Sequence, residues 1–251
     1  MNNETITIGG RFRGPPESGN GGYVCGTVGA LLSGVTAPIG EAPQVTLRSP
    51  VPLDTPLEVR REDNNLITVH HGDTLIAEAS CVALALDIPR APSYAEALAF
   101  QQQSPALIRN ISRRFPDRIG VHPVCFCCGA EHGDGLEVYA APMPGNAIVA
   151  AAWPTKRSWA DAAGKLPATF VWTALDCPGQ FAYQVAGIRT GMLGRLCAHI
   201  EHPVNAGEQC VVTGWRIGVE GRRHSAGTAL FDASGRLCAY AKAVWVGRRE
   251  G

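Results

Sequence analysis

One acid stands at the end of an otherwise apolar run. Thr169-Phe170-Val171-Trp172-Thr173-Ala174-Leu175 reads as a buried helix, and it runs into Asp176. A carboxylate on an apolar helix face is poorly solvated, which raises its pKa and suits it to general-base or nucleophilic work. Far upstream, Asn20-Gly21-Gly22-Tyr23 opens a second run of small and apolar residues, Val24 to Leu32. Glycines at a helix start let a ligand approach the backbone closely. The unpaired N–H groups and positive dipole end there favour a developing oxyanion. Plainer readings compete. Asp176 followed by Cys177-Pro178-Gly179 also reads as a helix cap with proline in the first turn, and Pro178 would kink a continuous helix. Asn20-Gly21-Gly22 is equally a turn signal.

Other reactive side chains rank lower. Glu17 precedes the first run and Asp161 lies in the loop before the second; loop acids at a pocket mouth are usually solvated. His70 and His71 sit at a strand end, one on each face, which suits structural or solvated roles. Cys125, Cys127, Cys128 and His132 invite a zinc reading, since Cys125-x-x-Cys128 with His132 could supply three ligands. A closed structural site wants four ligands, usually from a second knuckle, and no second CxxC exists in the sequence. No oriented base for a Cys127 nucleophile is visible. Packing at the start of the second half is the default for these thiols, and no metal is expected.

The elements that must position Asp176 and Asn20-Gly21-Gly22 come in two similar sets. The first half offers strands at Thr5 to Phe12, Val45 to Leu47, Leu57 to Glu62, Leu66 to His71 and Leu75 to Leu86. Turns fall at Asn64-Asn65 and at His71-Gly72-Asp73. Gly26 and Gly29 each cost helix stability of roughly 1 kcal/mol against Ala, so the Val24 to Leu32 helix must be held by burial. The second half offers a hairpin of Leu136 to Ala141 with Ala147 to Trp153 around Pro142 to Asn146, and a helix from Ala168 to Ala186. Strands follow at Met192 to Glu201, Gln209 to Val219, Ser225 to Asp232 and Leu237 to Val246. Gly72 to Ala79 matches Ser234 to Ala241, a turn and then an alternating strand with alanine on one face. Pro52-Leu53-Asp54 and Pro203-Val204-Asn205 likewise precede the corresponding long strands. Aligning Gly22 with Ala168 sets Asp176 opposite Ala30, so only one half carries the acid. The expected organisation is a domain over residues 1–90, a linker over 91–122 and a domain over 123–251. Within the linker, Tyr94 to Gln103 could form a short helix, and Arg113, Arg114 and Arg118 a solvated face.

Composition removes several classes. The 251 residues suffice for one large domain or two ordinary ones. Only 18% of residues are charged and the formal net charge is zero, so there is no electrostatic footprint for nucleic acid or an anionic membrane. Neither a signal-peptide pattern nor a bilayer-length apolar stretch is present. Nine cysteines, mostly inside strand and helix patterns, read as reduced thiols of a cytoplasmic protein. Ser18 to Gly22 lacks the lysine of a P-loop and the glycine spacing of a dinucleotide fold.

Each half therefore reads as a helix entered through small residues and wrapped by antiparallel strands, an α+β architecture. Phe12-Arg13-Gly14-Pro15-Pro16-Glu17-Ser18-Gly19-Asn20-Gly21-Gly22-Tyr23 and Cys125-Phe126-Cys127-Cys128-Gly129, followed by Asp134-Gly135-Leu136, resemble tandem hotdog proteins of the thioesterase-like superfamily. The resemblance covers nearly the whole chain and implies two tandem hotdog domains forming a pseudo-dimer. It implies one acyl-thioester hydrolase site between the halves, with Asp176 catalytic and the Gly22 amide polarising the carbonyl. Asn20, Gly21 and Tyr23 would bind an acyl-CoA or acyl-carrier substrate, with no cofactor. The mirror position at Ala30 would be inactive. Hydratase or dehydratase chemistry is weaker, because the acid–histidine pairs those hotdog enzymes use are not found at matching places. Two alternatives stay open: a non-catalytic acyl-CoA or lipophilic-ligand binding protein, and a module whose pocket is filled by Trp172, Phe181 or Trp215. Edge strands leave room for a homodimer.

Overall fold

The computed structural model describes residues 4–33, 40–62, 65–108, 121–145 and 147–247. Among these residues, eleven strands form one sheet: β1 (Thr5–Thr7), β2 (Glu41–Leu47), β3 (Pro56–Arg61), β4 (Ile67–His71), β5 (Thr74–Ala83), β6 (Ala141–Pro142), β7 (Ile148–Pro154), β8 (Met192–Ile200), β9 (Gln209–Glu220), β10 (Arg223–Phe231) and β11 (Leu237–Val246). Their order is β1-β3-β4-β5-β2-β8-β11-β10-β9-β7-β6, and every pairing is antiparallel. The two halves of the sequence thus meet edge to edge at β2 and β8, through Gln44↔Cys197, Val45↔Leu196 and Thr46↔Arg195. Outward from that junction the same order of strands recurs on each side, with β6 added at one edge.

Among the described residues, four α-helices pack against this sheet or cross its outer face: α1 (Gly21–Ala30), α2 (Tyr94–Phe100), α3 (Ala168–Ala174) and α4 (Cys177–Gln184). α1 and α3 run antiparallel in close contact. A Cβ on Gly22 would lie 2.7 Å from the Trp172 carbonyl oxygen, and one on Gly26 would lie 3.0 Å from Thr169 Cα. The glycines that weaken α1 as an isolated helix are therefore what lets the two central helices touch. One continuous core joins both halves, from Ile8 and Val24 to Leu230 and Trp245.

Two elements differ from the sequence expectation. Ala168 to Ala186 is not one helix: it breaks at Leu175-Asp176. Pro178 lacks an N–H and its ring would crowd the carbonyl of Ala174, so α3 ends there. The Leu175 carbonyl, left without a helical donor, accepts from Thr228 Oγ1 at 2.8 Å. Leu136 to Ala140 is not a strand, and β6 is only two residues long. Leu136 and Val138 donate their amides to the Phe126 and Cys127 carbonyls, so the segment pairs with the cysteine turn instead of β7. The N-terminal strand also stops at Thr7, with a 3-10 turn over Gly10–Phe12. α2 and the Gly72-Asp73 hairpin form as expected. Asn64, Asn146, Arg113, Arg114 and Arg118 lie outside the described residues.

Candidate active site

The break between α3 and α4 puts Asp176 at the junction of the halves. Its backbone occupies the N-cap position of α4, but its side chain makes no capping bond. Instead Oδ2 accepts from the Gly22 amide at 2.9 Å and from Asn20 Nδ2 at 3.0 Å, both in the first half. Asn20 is the N-cap of α1: its Oδ1 accepts from the Tyr23 amide at 2.9 Å. The same side chain therefore caps one helix and steadies the carboxylate at the head of another. Of the first three amides of α1, Gly22 serves Asp176 and Tyr23 serves Asn20. Gly21 N–H is left without a partner among the described residues.

Asp176 is 2% exposed, and its Oδ1 has no hydrogen-bond partner among the described residues. Burial pushes the carboxyl well above the ordinary carboxylate range, and the nearby Cys127 and Cys125 sulfurs push the same way. The Gly22 amide and Asn20 side chain pull it down without cancelling burial. A pocket of about 660 Å³ opens on this group. Its lining includes Asn20, Gly21, Asp176, Gln180, Leu193 and Trp245.

The structure brings Asn20, Gly21, Gly22 and Asp176 together and leaves Tyr23 apart from the pocket lining. Tyr23 stacks on Phe12 with ring centroids 3.8 Å apart and meets Phe126 edge-on. Glu17 and Asp161 are exposed, the latter capping its own turn through the Ala163 and Lys165 amides. His71 is exposed, and His70 pairs with Thr68 at 3.1 Å within the first half. Ala30 is exposed at the end of α1. Trp172, Phe181 and Trp215 do not line the pocket.

Two lining residues carry no expectation from the sequence. Gln180 is buried one turn beyond Asp176, and its Nε2 donates to Thr190 Oγ1 at 3.1 Å and to the Gly191 carbonyl at 2.9 Å. Its signal was available: an amide four residues after the acid, in an otherwise small and apolar segment, shares its helical face. Trp245 comes from β11 with its Nε1 buried and unpartnered. Nothing in the alternating pattern of β11 distinguishes that tryptophan from a core residue.

Three solved structures span nearly the whole chain. A candidate thioesterase of Novosphingobium aromaticivorans is 15% identical, with a TM-score of 0.60, covering 98% of this chain and 95% of that one. A thioesterase II candidate from Thermobifida fusca is 15% identical at a TM-score of 0.56, covering 98% and 97%. The tesB protein of Mycobacterium avium subs paratuberculosis is 13% identical at 0.56, covering 92% and 88%. No protein-family model matches the chain, and no curated protein does. At these identities the likeness is one of fold: an α+β chain of two tandem hotdog halves, the architecture expected from the sequence.

Proposed function

We propose that the chain hydrolyses an acyl thioester at this one site, with Asp176 as the catalytic group. The observation that carries the reading is the geometry of that carboxylate. One oxygen is fixed by the α1 N-terminus of the other half, and the second is free of any partner among the described residues, on a residue that lines the pocket. In this reading Asp176 Oδ1 takes a proton from water as the water oxygen bonds to the thioester carbonyl carbon. The carbonyl oxygen becomes the oxyanion and receives hydrogen bonds from the α1 amides, Gly21 first and Gly22 as the bound substrate draws it from the carboxylate. Collapse breaks the carbon–sulfur bond, and the proton on Asp176 passes to the leaving thiolate. The products are a carboxylic acid and a free thiol.

Coenzyme A or a carrier-protein arm is the thiol half we favour, because the pocket is mostly apolar and Arg48 and His122 stand among its lining residues. Asn20 and Gly21 serve as substrate-binding groups and Tyr23 as their support through the Asn20 cap. The repeat in the sequence we assign to duplication of one hotdog unit, with boundaries near residues 90 and 123. The nine cysteines are all unpaired thiols, which fits a cytoplasmic setting. No helix among the described residues is long and apolar enough to cross a membrane.

Burial favours a second reading. A carboxylate only 2% exposed has little access to water at rest. A non-catalytic acyl-thioester binding protein would keep the pocket and need no hydrolytic water. Thiol release from a panel of short, long and aromatic acyl-CoAs separates the two. Release by the native chain, lost in a folded Asp176→Asn variant, supports hydrolysis at this site. Release that survives the substitution sinks the choice of acid. Tight acyl-CoA binding without any release supports the binding protein.

A further inference from the structure

Four of the nine cysteines converge behind the candidate site. Cys125, Cys127 and Cys128 lie in the turn before Leu136, and Cys177 is the first residue of α4, 49 positions beyond Cys128 in sequence. The sulfurs of Cys125, Cys128 and Cys177 all lie within 4.8 Å of one another, and that of Cys177 is 3.9 Å from Cys125. Thiolates about 2.3 Å from a tetrahedral zinc ion lie about 3.8 Å apart. The cluster needs a contraction of an ångström or less to meet that geometry.

Buried cysteines often pack as small apolar side chains. These differ in that a polar N–H donor, the Asn20 side-chain amide, is set against the cluster. Asn20 Nδ2 donates to Cys125 Sγ at 3.6 Å, and the Cys125 and Cys177 sulfurs lie within hydrogen-bond reach of each other at 3.9 Å. A neutral thiol gains little from such donors; a metal-bound thiolate is stabilised by them. The turn itself is built for close packing around Cys125. The Gly129 amide donates to the Cys125 carbonyl at 2.7 Å, and a Cβ on Gly129 would fall 2.4 Å from the Cys125 nitrogen. Only glycine closes it. His132, the third ligand that the spacing offers, is turned elsewhere: Nε2 meets the Arg11 carbonyl at 2.6 Å, and Nδ1 accepts from the Asp134 amide.

We propose that Cys125, Cys128 and Cys177 bind one thiophilic d10 metal ion, zinc(II) as the reference, through three thiolates. Three protons leave the sulfurs as three metal–sulfur bonds form. Cys125 and Cys177 line the pocket, which gives the ion its access route and leaves the fourth coordination position on that side. The ion ties the cysteine turn to the start of α4, and so fixes the backbone that carries Asp176. This inference stands on the thiol cluster and is independent of whether the pocket hydrolyses a thioester.

The test is metal binding by the full chain, reduced, stripped with a chelator and dialysed, then titrated with zinc(II) and cadmium(II). We expect one ion per chain and a cadmium–thiolate charge-transfer band. Both are lost in Cys128→Ser and Cys177→Ser and kept in Cys81→Ser, a thiol of the first half away from the cluster. X-ray absorption on the zinc-loaded native chain gives an answer that does not require a folded variant: the expected shell holds three sulfurs. A reduced, folded native chain that binds no zinc overturns the proposal, as does a shell dominated by nitrogen and oxygen, or a stoichiometry unchanged in folded Cys128→Ser.

Discussion

Asp176 is asked to do two things that pull apart. Folding ties Oδ2 to Gly22 and Asn20, while catalysis would use Oδ1, which has no partner. A buried acceptor left unpaired costs about 1–3 kcal/mol, a strain that a catalytic site can tolerate and a structural one has no reason to keep. Asp176→Asn keeps the shape but removes the base, so thiol release should fall by about 10²–10⁴-fold, the usual span for a general base. Its melting temperature should stay near native, because an amide oxygen can still accept from Gly22. A variant equally active with acyl-CoA would show that proton transfer runs elsewhere. Gln180 and Asn20 mark how far one residue can be read in isolation. Asn20 at the entrance to an apolar run is legible from its Gly-Gly sequel, whereas its bond to a carboxylate 156 residues away is not.

At the scale of elements, the α1–α3 contact is where a small change should tell most. Gly22→Ala would place a methyl 2.7 Å from Asp176 Cβ and from the Trp172 carbonyl oxygen, both fixed by packed helices. Overpacking of this kind costs about 1–3 kcal/mol. The urea midpoint should drop accordingly, against the gain in helix propensity that the same substitution gives an exposed helix. The turn between β10 and β11 supplies a second case. Burial pushes the Asp232 carboxyl up, but hydrogen bonds from Ser234 and Arg236 outweigh it and bring the pKa to about 2. A carboxyl whose pKa is lowered on folding stabilises the native state above its unfolded value, about 3.9, and that stability is lost as pH falls toward 2. Thermal melts of Asp232→Asn should therefore lose part of the decline that the native chain shows across this acid window. A native chain whose melting temperature is flat there would contradict the assignment.

For the whole molecule, the β2–β8 junction and the shared core predict cooperative unfolding. All five tryptophans, Trp153, Trp159, Trp172, Trp215 and Trp245, lie in the second half, so their fluorescence reports that half, whereas far-ultraviolet circular dichroism reports both. The two denaturation curves should coincide. An early dichroism change with steady fluorescence would mean that the first half unfolds alone. Which half holds the acid matters only because the halves are fused: the α1 N-terminus comes from one and Asp176 from the other.

Local order in this chain was legible because it is written in short-range periodicity and turn chemistry. The alternating strands, the Gly72-Asp73 hairpin, the paired strand sets and the apolar helix leading to Asp176 all follow from neighbours in sequence; the tandem hotdog expectation came from the resemblance of their order and motifs to a known family. The tertiary structure decided what depends on distant partners. Pro178 was visible as a kink, but only the Thr228 hydroxyl explains how the broken helix end is satisfied. Leu136 to Ala140 has strand composition, yet its amides go to the cysteine turn, because hydrogen bonds are won by whichever acceptor folding brings near. Spacing offers His132 beside Cys125 and Cys128, whereas folding turns His132 to the Arg11 carbonyl and brings Cys177 to those two sulfurs, a neighbour that no linear motif could have supplied. Side-chain chemistry is set by residue type, but the partner that makes it a site is set by which backbones the core allows to touch.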